Sequence, residues 1–433
     1  MPTETFIDSR NGQRYKVEYD TRIGGGSQGE VFVVRKVDNR KDGDHLLKIY
    51  NQPTQAVRQH AAQFVEHLNS HSLHKEGLVG LPRRCVLSED GQRIAVFMAF
   101  VPGQTMETRD VYQWLQGQPL ITRLELARQV AQSIATLHQA KIVHADIAEP
   151  NVMLDEQQVC PYLIDADGGG ILDQKGQYQL RPVVHGHATA SWNAPELYAA
   201  GKIPSIETDN WSLAVLILKI LVPVQGLDPF AGLEVFVDTS QTPGRDCRDA
   251  ALRWPEYQAD DPSLQRGVDI IKRALLRLGP NLKSLFTATF DTPGRLQNPR
   301  LRTLSNSWSR ELDIAGRWCL DCECGEQVVA NGVTTCAFCN KPLHHAQVKV
   351  GAATWLVNRE GFSLVGRDLG FRDGNNGKYE VLRFSRVIQR NRSKLKVEIV
   401  TKGKSQELDA GVHQLQVRSN DGRSRTVVQV TVE

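Results

Sequence analysis

Long apolar runs are missing from this 433-residue chain. The longest, Leu213 to Val224, has 12 residues and includes Lys219. A membrane-spanning helix needs roughly 20 to cross about 30 Å of hydrocarbon. The opening residues MPTETFIDSRNGQ lack the basic and then apolar pattern of a secretory leader, so a soluble cytoplasmic protein is expected. An excess of one charge is missing as well. Lys+Arg number 52 against 49 Asp+Glu, a net of +3, which excludes a nucleic-acid-coating polycation and an acidic disordered tail. Internal repeats and low-complexity tracts are absent. What remains, 40% hydrophobic and 23% charged residues, is the composition of an ordinary globular protein. At roughly 100–200 residues per domain, the length predicts two to four domains.

The averages hide two local concentrations. Residues 347–433 carry 16 basic and 9 acidic residues, a net of +7, and the preceding 346 carry 36 basic against 40 acidic. Cysteine is as uneven. Of eight, Cys319, Cys322, Cys324, Cys336 and Cys339 fall within 21 residues, while Cys85, Cys160 and Cys247 are scattered. A tight cluster beside isolated thiols suits a metal site in a reducing compartment better than a disulfide framework.

Alternation of apolar residues predicts strands over residues 14–50, interrupted by a glycine cluster and a turn at Asp42-Gly43-Asp44. Residues 54–70 lack Gly and Pro and have helical spacing through Ala56, Phe64, Val65 and Leu68. Two strands then flank Glu89-Asp90-Gly91, and a long amphipathic helix runs from Ile121 to Gln139. The chain stays helical in character to about Leu312, and short β-branched runs dominate from Val348 onward.

Gly24-Gly25-Gly26-Ser27-Gln28-Gly29-Glu30-Val31 fits G-x-G-x-x-G-x-V between two strands. Glycine lets backbone N–H groups approach phosphate closely. A following strand, rather than a helix, disfavours a dinucleotide-binding turn and suits a lid over nucleotide phosphates. Lys48 sits in an apolar strand, where an ammonium needs an anionic partner. Glu66 on the next helix is one candidate and Glu76 another. Farther on, His144-Ala145-Asp146 and Asn151 follow the long helix, and Asp165 follows the short strand YLI. Asp146, Asn151 and Asp165 can together supply a hydroxyl-positioning base and two metal-binding oxygens. Any one of these carboxylates alone would read as a solvated loop residue; their order and spacing point to chemistry.

In these motifs residues 12–314 resemble the protein-kinase superfamily. The resemblance implies an α+β fold, with a β-rich N-lobe and a helical C-lobe holding ATP between them. It implies that Lys48 contacts the ATP phosphates and pairs with Glu66, that Asp146 is the catalytic base, and that Asn151 and Asp165 bind Mg2+. It further implies that Gly24 to Val31 covers the phosphates, Met98 is the gatekeeper, and Ala99, Phe100 and Val101 form the hinge. Ser191 to Glu196 (SWNAPE) would close an activation segment, Asp209-Asn210-Trp211 would open the next helix, and Arg302 would pair with Glu196, with Arg300 as its neighbouring alternative.

Three positions depart from the family pattern. Ala145 replaces the arginine that gathers a phosphorylated activation loop, so phosphorylation at Thr189 or Ser191 is not strictly required. Ala148 stands where Ser/Thr kinases have a lysine, and Ala166 where D-F-G has phenylalanine. These changes leave open a nucleotide-binding pseudokinase scaffold. The loop also resembles that of aminoglycoside-type small-molecule phosphotransferases, but the A-P-E-closed segment between Asp165 and Asp209 favours a protein substrate. The Asp-x-Asp after the strand and the stretch Gly226 to Gly232 place the resemblance in a divergent, bacterial-looking branch.

Residues 315–346 read as a zinc ribbon. Cys336 and Cys339 have knuckle spacing, and Cys322 and Cys324 are preferred as the other pair because Gly325 follows, with Cys319 as the substitute. His344 and His345 read as surface residues. Four protein ligands leave no open position, so the Zn2+ is structural. Residues 347–433 read as a basic β-sandwich interaction domain. Gly366-Arg367 and Ser385-Arg386 resemble phosphothreonine-reading forkhead-associated domains, which implies a phosphoprotein partner, although Ile388 stands where those domains have His. Few aromatics interleave its basic residues, which argues against nucleic acid.

Overall fold

The computed structural model describes residues 2–25, 28–42, 44–76, 78–183, 193–198, 202–223, 262–290, 298–343, 346–357, 361–369, 371, 380–389, 392–418 and 425–432. These divide into two units. One comprises Met1–Gln118, Thr122–Lys272 and Ser284–Arg310; the other comprises Pro119–Ile121, Arg273–Lys283 and Glu311–Glu433.

The first unit begins with an antiparallel sheet of strands β1 (Thr3–Asp8), β2 (Arg14–Gly25), β3 (Gly29–Val37), β4 (Arg40–Lys41), β5 (His45–Tyr50), β6 (Pro82–Ser88) and β7 (Ile94–Ala99). Their order is β2-β1-β6-β7-β5-β3-β4, and β2 also pairs with β3. Six strands therefore close a ring, which removes the unpaired edges of an open sheet. Strand β1 closes it by pairing with β2 on one side and with β6 on the other, Phe6 facing Ser88. The lobe thus starts at residue 3, ahead of the expected boundary at residue 12. Alternate residues fill the ring: Phe6, Tyr15, Val17, Tyr19, Val34, Leu47, Val86, Ala95 and Phe97 form one buried cluster. The opposite phase of β5, β6 and β7 (Leu46, Cys85, Val96, Met98) packs against helix α1 (Gln55–Ser70) through Ala61 and Val65. Thr54 caps that helix, its hydroxyl accepting from the Val57 N–H at 3.2 Å.

The rest of the unit is mainly helical. It contains α2 (Arg109–Gly117), α3 (Leu120–Gln139) and α4 (Ile206–Leu221), with short strands around residues 144–151. Helix α4 absorbs most of the longest apolar run and is buried from Thr208 to Leu221, which explains why it is apolar on every side. Ser205 and Thr208 form a capping box at its start. Helix α5 (Pro262–Phe290) kinks at Gly279, whose φ is 73°, just before Pro280, and α6 (Ser305–Arg317) follows. Trp211, Phe286, Phe290 and Trp308 pack ring to ring, with Trp211–Phe290 centroids 5.0 Å apart and Phe286–Trp308 4.7 Å apart.

In the second unit, Cys319–Asp321 pairs with Gln327–Val329 in a two-stranded ribbon. Leu320, Val328, Ala330 and Leu343 bury its small core together with Cys322 and Cys336. Glu326 accepts from Arg273 at 2.7 Å and from Arg277 at 2.5 Å, and both guanidinium groups lie over the Phe338 ring. Beyond the ribbon, eight strands form two four-stranded antiparallel sheets. Val348, Val357, Leu364, Leu382, Phe384, Leu395, Val397, Val428 and Val430 form the shared core. No helix among the described residues is long and apolar enough to cross a membrane.

Candidate active site

The glycine hairpin is made by β2 and β3, with Gly24 facing Val31 and Gly25 facing Glu30. A Cβ on Gly29 would lie 2.5 Å from the Ile49 carbonyl, so only glycine lets β3 approach β5 this closely. Gly26 and Ser27 lie outside the described residues. Gln28 reaches inward, and its Oε1 accepts from Lys48 Nζ at 3.2 Å.

Lys48 is 4% exposed. Strand alternation turns Leu47 and Ile49 into the barrel and Lys48 and Tyr50 out to the other face. There the ammonium donates to Asp165 and, at 2.9 Å, to Asp167. The Tyr50 hydroxyl donates to the second oxygen of Asp167. Burial works against the charged ammonium, but Asp167 and Asp165 outweigh it and raise the Lys48 pKa. Asp167 is pulled well down, because the Lys48 charge and three hydrogen bonds overcome its complete burial. Asp165 is pushed up, by desolvation and by the Asp167 charge beside it.

The structure does not bring Glu66 to Lys48. Glu66 is exposed and lines a cavity of about 760 Å3 with Asn69, Arg83 and Cys85, a cavity that Lys48 does not line. Toward the Asp165–Asp167 segment α1 presents His60, whose Nε2 lies 2.9 Å from the Gly169 carbonyl, and Phe64, which stacks on His60.

Residues 144–151 are held by Asp209. The N–H groups of His144 and Ala145 donate to the two oxygens of Asp209 at 2.7 and 3.0 Å. That clamp steadies Ala145 at φ 72°, in the left-handed region that non-glycine residues rarely adopt. The His144 ring accepts from the Asp146 N–H through Nδ1 at 3.3 Å and meets the Ile164 carbonyl through Nε2 at 3.2 Å, which fixes the Nε2–H tautomer. Asn151 donates from Nδ2 to the Asp146 backbone carbonyl at 2.7 Å and to its Oδ2 at 2.9 Å. This leaves the Asn151 amide oxygen turned away from Asp146. The Ile164 N–H donates to the Asn151 carbonyl at 3.0 Å, which ties the strand leading into Asp165 to the same loop. Asp165 itself has φ 58°.

Met98 is buried at the end of β7, Phe100 is 47% exposed, and Val101 is buried. Arg302, 3% exposed, forms a two-pronged pair with Glu196, both hydrogen bonds at 2.7 Å, and lies over the Trp211 ring. Glu149, between Asp146 and Asn151, is buried against Lys219 Nζ at 2.8 Å and the Tyr112 hydroxyl, a packing role. Thr189, Ser191 and Gly226 to Gly232 lie outside the described residues.

The family pattern of the protein kinase domain matches residues 17–242, more than half of the chain. The chain belongs to this family. Among its relatives, the kinase domain is 30% identical over 171 residues to "Serine/threonine-protein kinase ppk6" of Schizosaccharomyces pombe, covering 39% of this chain and 19% of that protein. It is 25% identical over 223 residues to "Serine/threonine-protein kinase PkaB" of Streptomyces coelicolor, covering 48% of each. The match thus spans half or less of these relatives. The solved "ROP18 kinase domain in complex with AMP-PNP and sucrose" is 16% identical with a TM-score of 0.46, covering 72% of this chain and 84% of that one.

In the ribbon, the sulfur atoms of Cys322, Cys324, Cys336 and Cys339 all lie within 4.8 Å of one another. Cys322 and Cys339 are 3.5 Å apart and Cys324 and Cys336 3.8 Å. Tetrahedral zinc with Zn–S bonds of about 2.3 Å requires sulfurs about 3.8 Å apart, so the donor set fits that ion. Cys319 is buried in the adjoining strand and is not one of the four. His344, His345 and Cys247 lie outside the described residues.

Sequence reasoning singled out Lys48, Asp146, Asn151 and Asp165; the structure joins Lys48 to Asp165 and Asn151 to Asp146, and the Ile164–Asn151 backbone hydrogen bond links the two pairs. It did not give Asp167, Tyr50 or Gln28 a part in the lysine's surroundings. A usable signal was present for Tyr50, which stands two residues beyond Lys48 in strand β5, where period-2 spacing puts both on one face; Asp167 lies in a turn after the left-handed Asp165 and carries no such period.

Proposed function

We propose that this kinase domain transfers the γ-phosphoryl group of ATP to serine or threonine hydroxyls of a protein substrate, with Mg2+. The observation that carries the reading is the Asp146–Asn151 hydrogen-bond pair, tied through Ile164 to Asp165 and through Asp165 to Lys48. In this reading the Asp146 carboxylate orients the substrate hydroxyl and takes its proton as the new O–P bond forms and the bond to the β-phosphate bridging oxygen breaks. Lys48 holds ATP phosphates, and the hairpin from Gly24 to Val31 covers them with backbone N–H groups. The Asn151 amide oxygen and the Asp165 carboxylate are the donors suited to Mg2+, a hard cation that takes oxygen ligands. Bound there, Mg2+ would neutralise charge on the phosphates. Met98 and Ala99 to Val101 line the adenine side. The arrangement of the Arg302–Glu196 pair supports a protein substrate over a small molecule, since it anchors the segment between Asp165 and Asp209.

The ribbon with its Cys322, Cys324, Cys336 and Cys339 set is read as a structural zinc site, and residues 347–433 as a module for a phosphoprotein or another protein partner. A cytoplasmic place in bacterial signalling is supported by the thiol-rich ribbon and by likeness to the Streptomyces kinase.

The test is incubation of the whole chain with γ-labelled ATP, Mg2+ and cell-extract proteins, followed by phosphoamino-acid analysis. Label on serine or threonine is expected; label confined to small molecules overturns the protein-substrate reading. A second reading, a nucleotide-binding scaffold, is favoured by Ala148, which is 3% exposed and offers no cation to the transferring phosphate. It predicts nucleotide binding with no label on any protein.

A further inference from the structure

A buried ammonium must be matched by an anion or be lost as a charge. Lys48 has two carboxylates within reach, and they differ in surroundings. The Asp165 side chain is 37% exposed and is one of the donors suited to a divalent cation. The Asp167 side chain is 1% exposed. One of its oxygens takes Lys48 at 2.9 Å and the other takes the Tyr50 hydroxyl. Both donors come from β5, two residues apart and therefore on one face of the strand. Asp167 is thus fully occupied by the strand that carries the lysine.

Helix α1 offers no competitor. Glu66 is its only acidic residue, and it is exposed. The residues buried on this helix are His60, Ala61, Phe64, Val65 and Leu68. Six residues beyond His60, at about 100° per residue, Glu66 is turned well away from the side that meets Gly169.

We propose that Asp167, fixed by Tyr50, is the residue that positions Lys48 for the ATP phosphates, in place of a glutamate on helix α1. Asp167 is a positioning residue, acting through Lys48. When Asp165 turns to a cation, Lys48 keeps its second carboxylate and stays in place. The lysine is anchored by the segment that carries the metal ligand, so its position does not depend on where helix α1 sits. This inference rests on the kinase reading above.

The experiment compares wild type, Asp167→Asn, Tyr50→Phe and Glu66→Gln in the whole chain, with two readouts. The first is kcat/KM for ATP. The second is trace acetylation of Lys48 in the absence of nucleotide, measured by mass spectrometry relative to the exposed Lys36. Asp167→Asn is expected to lower kcat/KM about a hundredfold and to raise relative Lys48 acetylation several-fold, because an ammonium left with Asp165 as its one carboxylate is held less firmly and reaches the reagent more often. Tyr50→Phe, a milder change that keeps the ring, should move both readouts in the same direction by about threefold. A purely structural defect would lower the melting temperature and leave the Lys48-to-Lys36 ratio unchanged. An unchanged ratio in both Asp167→Asn and Tyr50→Phe overturns the proposal, as does a larger loss in Glu66→Gln than in Asp167→Asn. If wild type transfers no phosphate, the kinase reading fails and the acetylation ratio still decides whether Asp167 holds Lys48.

Discussion

The kinase unit and the ribbon balance their charges in opposite ways. In the kinase unit each buried lysine or arginine among the described residues meets a carboxylate of the same chain: Lys48 meets Asp165 and Asp167, Lys219 meets Glu149, and Arg302 meets Glu196. In the ribbon four sulfurs of one kind face one another. The positive charge that would balance four thiolates has to come from outside the chain. The first site is assembled from groups of the chain itself, whereas in the zinc reading proposed above the second is completed by a metal, whose binding free energy would then be part of the ribbon's folding free energy.

Chelation should break the comparison most visibly. Removing zinc should cost the ribbon on the order of 10 kcal/mol and unfold it, since the small core around Leu320 and Val328 cannot replace that contribution. Four newly reactive thiols, counted by a colorimetric thiol reagent, would mark the loss; a ribbon that keeps its protection after exhaustive chelation would contradict the zinc reading. On the other side, Arg302→Ala should destabilise the kinase unit by ~3–5 kcal/mol, because Glu196 would be left with no cation in a largely buried place. Denaturant titration gives that value, and the ribbon's zinc content should stay constant.

A third change tests the barrel, where no charge is involved. Phe6 is wholly buried inside the closed ring, and Phe6→Ala should cost about 3–5 kcal/mol. A loss below about 1 kcal/mol would mean that β1 is not a working part of the lobe. The smallest effect is that of pH. His60, His67 and His74 are each held below their ordinary pKa of 6.5, in every case chiefly by burial. The unfolded chain therefore binds these protons first, and stability is lost as pH falls below 6.5 through the lowered folded-state values. A melting temperature of the kinase unit that rises on acidification from pH 7 to 5.5 would contradict this sign.

How far the sequence reveals these features depends on how local they are. Asp146 and Asn151 lie in one short loop whose hydrogen bonds run between near neighbours, so spacing alone identified them. The knuckle cysteines were legible for the same reason. The closing strand Thr3–Asp8 was not, because it is defined by pairing with Val86 to Ser88, a long-range contact that leaves no local period. Glu66 shows a different limit. Helical spacing located α1 correctly, but the face it turns to the cleft is set by packing of Ala61, Phe64 and Leu68, and that rotation carries Glu66 into solvent. The partner of Lys48 instead comes from Asp167, far along the chain, where only folding reveals the proximity.

The most direct measurement separates binding from transfer at the assembled site. Asp146→Asn and wild type are compared for ATP affinity by calorimetry and for phosphate transfer to protein hydroxyls in the presence of Mg2+. If Asp146 is the proton acceptor, the variant binds ATP within about threefold of wild type while transfer falls by a factor on the order of 10^2–10^4. Equal transfer by both proteins would contradict the account, because the residue that Asn151 holds in place would then have no part in the chemistry.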